Sequence, residues 1–128
     1  MNSENKAIYT LIVTQNDCVV FQSNSRWLHP LFELEDYLKE NVMEMTTAYL
    51  HDKVIGKAAA MLILRIMPGR VHGELMSELA INTLKNSGIP YSFDHWVERI
   101  DCSTEKILED IDDLEKAYQI LCKRAKQC

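Results

Sequence analysis

Apolar and polar positions alternate or recur along most of this chain, and the periods change often enough to mark out its elements. Ile8 to Thr14 is rich in β-branched residues, and the turn-formers Asn16 and Asp17 separate it from a second apolar run, Cys18 to Phe21, which together predict a β-hairpin. Pro30 then stands where a first helical turn begins, and Leu31, Leu34, Leu38 and Val42 follow at helical spacing. Thr46 to Leu50 is short and β-branched at its start, so a third strand is expected there. From His51 a strand gives way to a nearly all-apolar helix that runs through Ile66. Asp52 is the candidate N-cap, because a carboxylate can accept hydrogen bonds from the free amides of a helix start. Apolar residues all round imply burial on both faces, and Gly56 with Ala58, Ala59 and Ala60 allows close approach. Met67-Pro68-Gly69 ends that helix by removing a donor and supplying a residue tolerant of positive φ.

Val71, Gly73 and Leu75 alternate with His72, Glu74 and Met76, which reads as a fourth strand. Ser77 can cap a third helix from Glu78 to Ser87, closed by Gly88, and Ile89 to Phe93 reads as a fifth strand with Pro90 at its start or on a sheet edge. A short helix follows near Thr104 to Glu109. Asp112-x-x-Glu115 is the expected capping box of a last helix with Leu114, Ala117, Tyr118, Leu121 and Ala125 on one face. The order β-β-α-β-α-β-α-β-α-α implies an α/β domain, a mixed five-stranded sheet with helices on both faces in a three-layer α-β-α arrangement.

Composition narrows the functional classes. With 128 residues, 47% of them hydrophobic and 26% charged, residues 1–128 make a single globular domain. A formal net charge of -5 argues against nucleic acid and anionic membrane surfaces as partners, since both demand clustered Lys and Arg. No stretch approaches the roughly 20 apolar residues of a membrane span, and the polar start Met1 to Lys6 has no signal-peptide pattern, so a cytoplasmic location is expected. Cys18, Cys102, Cys122 and Cys128 are scattered, which predicts free thiols, and no Cys-x-x-Cys or neighbouring Cys/His cluster offers a metal site. No cofactor is indicated. A homo-oligomer stays open.

The run Asp52-Lys53-Val54-Ile55-Gly56-Lys57-Ala58-Ala59-Ala60 resembles the signature of the family called domain of unknown function 1893. The resemblance extends over the hairpin, Trp27-Leu28-His29-Pro30-Leu31, Val71 to Gly88 and the tail Ile107 to Tyr118. It implies a cytidine-deaminase-like fold. Active deaminases place His-x-Glu or Cys-x-Glu at one helix start and Pro-Cys-x-x-Cys at the next, supplying three zinc ligands and a general acid/base. The corresponding starts here read Asp52-Lys53 and Ser77-Glu78, so the resemblance implies the fold without the zinc chemistry. His72-Gly73-Glu74 spells His-x-Glu, but its alternation sets it on a strand. His29 and His95 are read as surface or packing residues.

Two candidate sites follow. Asp52, Lys53, Gly56 and Lys57 crowd a helix start whose amides and dipole favour an anion, and in a deaminase-like architecture Ser77 and Glu78 line the same pocket. The competing reading is a plain cap with solvated lysines. The leading expectation is a catalytically degenerate domain binding a small anionic or nucleotide-like ligand at these residues. The alternatives are an enzyme of non-zinc chemistry that uses Cys102 as nucleophile, with Lys53 or Lys57 stabilising charge, and a protein-interaction module. Whether the chain is an enzyme stays open.

Overall fold

A computed structural model describes residues 8–100 and 103–125. The strands are β1 (Leu11–Gln15), β2 (Cys18–Ser23), β3 (Ala48–Ile55), β4 (Arg70–Ser77) and β5 (Tyr91–Val97), and the helices α1 (His29–Glu40), α2 (Lys57–Ile66), α3 (Glu78–Ser87), α4 (Ser103–Ile107) and α5 (Leu114–Ala125). The element order is the one read from the sequence. The five strands form one sheet in the order β2-β1-β3-β4-β5, with β1 antiparallel to both neighbours and β3, β4 and β5 parallel. Asn16 and Asp17 both take positive φ, the conformation that a two-residue hairpin turn demands, and Gln15 pairs with Cys18 across it.

Helix α2 is the hub of the packing. It touches β3 on one side, α1 and α3 on its flanks, and α4 and α5 beyond. Ala58 to Ile63 are all buried, as an apolar circumference requires. The second cover of α2 is therefore helical. Among the described residues α1, α3, α4 and α5 all gather around α2. Arg65 fastens the outer layer, its guanidinium 3.4 Å from the centre of the Tyr118 ring and 3.2 Å from the Glu115 carboxylate.

β3 runs to Ile55 rather than ending near Leu50, because Asp52 pairs with Leu11 of β1 and Val54 with Leu75 of β4. Consequently α2 starts at Lys57 with Gly56 as its N-cap, and Asp52 is a strand residue that caps nothing. At the other end Met67, not Gly69, takes the left-handed conformation. Gly69 serves close approach instead, since a Cβ there would collide with the backbone at Thr46. β5 continues four residues past Phe93, to Val97. Asp113 rather than Asp112 receives the amide of Lys116, at 3.0 Å, so the expected capping box is not formed. Ser77 does cap α3, accepting from the Ala80 amide at 3.1 Å, and Gly88 closes it at φ 82°. Cys18 is a free, exposed thiol, whereas Cys122 is disulfide-bonded, against the expectation of free thiols throughout.

A cavity at the ends of the parallel strands

A cavity of about 590 Å³ opens where the C-terminal ends of β3 and β4 meet the start of α2. This volume suits a small organic molecule. Much of the wall is apolar, including Leu28, Ala58, Ala59 and Leu75, with Trp27 on one side. Trp27 is held at φ 58° and leaves 41% of its surface exposed, so part of its ring is open to a ligand. Arg26, Lys53 and Arg99 bring three cations to the same wall.

Asp52 is the buried acid of this cavity. Strand pairing sets it between Leu11 and Gly73, and only 8% of its surface remains exposed. Burial raises its carboxyl to about 7, opposed by hydrogen bonds from the backbone at Lys53 and Val54 and reinforced by the nearby Glu74 carboxylate. The group thus exchanges its proton near neutrality, inside a largely apolar space.

The helix starts proposed for an anion already hold one. The Glu105 carboxylate, itself buried, accepts from the Lys57 amide at 2.8 Å, from the Ser77 hydroxyl at 2.6 Å and from the Ile100 amide at 3.0 Å. One internal carboxylate therefore serves the beginnings of both α2 and α3, with the dipole end and hydrogen bonds that an external anion would use. Gly56 is required for this closeness, since a Cβ would lie 2.7 Å from Glu105 Oε2. The Lys57 side chain leaves in another direction, its Nζ 3.0 Å from both the Glu109 carbonyl and the Asp112 carboxylate.

Of the six binding residues read from the sequence, Asp52, Lys53 and Gly56 line the cavity. Lys57 and Ser77 flank it through Glu105 but do not contribute to its lining, and Glu78 is exposed at the start of α3. Cys102 lies outside the described residues. Arg26, Trp27, Arg99 and Glu105 were missed, because they come from loops and a short helix whose meeting no sequence period encodes. His72 and Glu74 do lie on a strand, where they pair apart: His72 Nδ1 with the Ser92 hydroxyl at 2.7 Å, Glu74 with His51 at 2.9 Å. Among the described residues no group of three His, Cys, Asp or Glu side chains is placed to hold a metal ion.

Fold and cavity together define an α/β domain with a mixed five-stranded sheet and a ligand-sized pocket at its parallel strand ends. A family model described as domain of unknown function (DUF1893), labelled TM1506, matches residues 2–124, and the chain belongs to that family. A crystal structure of a DUF1893 family protein, TM1506 from Thermotoga maritima, superposes with a TM-score of 0.82 at 24% identity, covering 93% of this chain and 82% of that one. At that identity the likeness shows a shared fold. No curated protein matches.

Proposed function

We propose that this domain binds a small anionic ligand, nucleotide-like compounds among them, in the cavity at the ends of β3 and β4. The observation that carries the reading is the cavity itself, where an apolar wall and a partly open indole meet Arg26, Lys53 and Arg99. Sites for small molecules combine an apolar body with a few convergent polar groups in this way. Because Glu105 occupies the amide of Lys57 and the hydroxyl of Ser77, the ligand's anionic group is assigned to these three cations rather than to the helix starts.

The scaffold fits a cytidine-deaminase-like domain that has lost its zinc chemistry. Support comes from the sheet, in which only β1 opposes the other strands, and from the adjacency of the α2 and α3 starts on one carboxylate. The helix starts where the family resemblance looks for metal ligands read Gly56-Lys57 and Ser77-Glu78, and they are not a zinc set. A thermal-shift screen of anionic metabolites tests the binding role, since a ligand selective for the folded state raises its stability by mass action. Hits that lose their effect in Arg99→Ala or Lys53→Ala, and that weaken with salt, support it. A screen without hits, or hits indifferent to all three cations, removes it.

A second reading, self-association through β5, is favoured by this edge strand's exposure, with Trp96 56% and Phe93 37% exposed. Light scattering that finds a monomer at high concentration ends that reading.

A further inference from the structure

The cavity is lined by two buried acids, Asp52 and Glu105, as well as by the cations Arg26, Lys53 and Arg99, and that mixture of charge says more about the ligand than its anionic end. We propose that the ligand is dipolar, with a guanidinium or amidinium group seated on the Asp52 carboxylate and an acid group held by Arg26 and Arg99. The inference rests on the binding role proposed above and adds to it the chemistry of the ligand's second end.

The Asp52 carboxyl is buried in a cavity that Ala58, Ala59 and Leu75 also line, and the two backbone hydrogen bonds it accepts do not offset the lost hydration. The charged and titratable groups that line the cavity with it or act on it are Lys53 on its own strand, Glu74 on β4, Arg26 before α1, Arg99 after β5 and Glu105 on α4. Of these, Glu105 is committed to two helix starts and Glu74 pairs with His51, while Arg99 meets Glu109 through one guanidinium nitrogen of a side chain that carries five N–H donors. A planar cation entering the cavity supplies what the carboxylate lacks, through two parallel N–H···O bonds of the strong, charge-assisted kind. An acid group in the same place meets like charge instead. The acid end of the ligand therefore lies toward the arginines, and a flat apolar middle can rest against Trp27.

Such a ligand ionises the group it binds. Near pH 6 most Asp52 side chains are protonated, so seating a cation there expels a proton, and affinity rises by about tenfold between pH 6 and pH 8 as the proton leaves beforehand. The probe is 4-guanidinobutyrate, whose own groups do not titrate in that window. Butyrate, which lacks the cation, and propylguanidine, which lacks the acid, are its controls. Calorimetry in buffers of different ionisation enthalpy is expected to show 4-guanidinobutyrate binding tighter than either control, releasing a proton at pH 6 and tightening toward pH 8. Asp52→Asn should reduce it to the level of butyrate, and Arg99→Ala to that of propylguanidine. If butyrate binds equally well and ignores Asp52→Asn, the anion-binding role stands and the dipolar ligand is overturned. If propylguanidine equals the probe, the arginines are idle and both readings fall. If none of the three binds at millimolar concentration, the dipolar ligand is overturned, while the wider anion screen decides the binding role separately.

Discussion

Replacing Asp52 with Asn should stabilise the ligand-free domain at alkaline pH and do little at acid pH. The folded carboxyl titrates at about 7, above its ordinary value of 3.8, so the native state holds the proton more tightly than the unfolded chain does. Its favourable contribution is complete below about pH 4 and is lost as pH rises through 7. The difference between 3.8 and about 7 is worth about 4 kcal/mol in all, of which about 2–3 kcal/mol falls between pH 5 and pH 8. Asparagine has nearly the shape of the protonated acid and does not titrate, which removes this slope alone. Urea unfolding of both proteins at pH 5 and pH 8 supplies the comparison, because other titrating groups cancel between variant and parent. The stability gap should widen by about 2–3 kcal/mol in favour of Asp52→Asn as pH rises. A gap that stays constant within about 0.5 kcal/mol refutes the burial of an ionisable Asp52, and with it the pH dependence expected of the ligand.

Glu105→Ala strips the Lys57 amide and the Ser77 hydroxyl of their shared partner and should cost roughly 2–5 kcal/mol in denaturant melts, a larger loss than the roughly 1 kcal/mol typical of a single cap. Lys57→Met, which keeps the buried stem but gives up the contacts with Glu109 and Asp112, should cost on the order of 1–2 kcal/mol and leave ligand affinity within about twofold. Ala59→Leu, at a position only 4% exposed on the cavity wall, is expected to destabilise by roughly 1–3 kcal/mol and to block binding, read by melts and calorimetry. Elemental analysis of the purified protein should find no stoichiometric zinc, and chelators should leave its melting temperature unchanged, because no described group of side chains has ligand geometry.

Among the described residues the order of the five strands and five α-helices was legible because most of them have a period of their own, and Ser77 and Gly88 marked α3 by chemistry as well. Residues 51–57 were harder. His51-Asp52-Lys53-Val54-Ile55-Gly56-Lys57 shows neither a clean strand alternation nor a helical spacing, so only the ladder to Leu11 and Leu75 shows that β3 passes Asp52 and reaches Ile55. That shift moved Asp52 from a cap to a cavity acid. The lysines were read as a pair because they are four residues apart, yet one lies on a strand and the other on a helix, and Lys57 turns away toward Asp112. Arg26 and Arg99 are ordinary loop charges in sequence and meet only through the sheet. Glu105 could have been suspected from the two helix starts needing acceptors, but its distance along the chain, 48 residues from Lys57, hid the pairing.

The single carboxylate at the two helix starts also has a consequence for how the chain acquires its structure. During synthesis, α2 and α3 emerge well before residue 105, and until then the Lys57 amide lacks its acceptor. Arrival of Glu105 locks both helix starts in one event, joining the last fifth of the chain to the sheet. A chain truncated before that residue should be a poorer folder than its apolar content suggests, even though all five strands of the sheet are present in it.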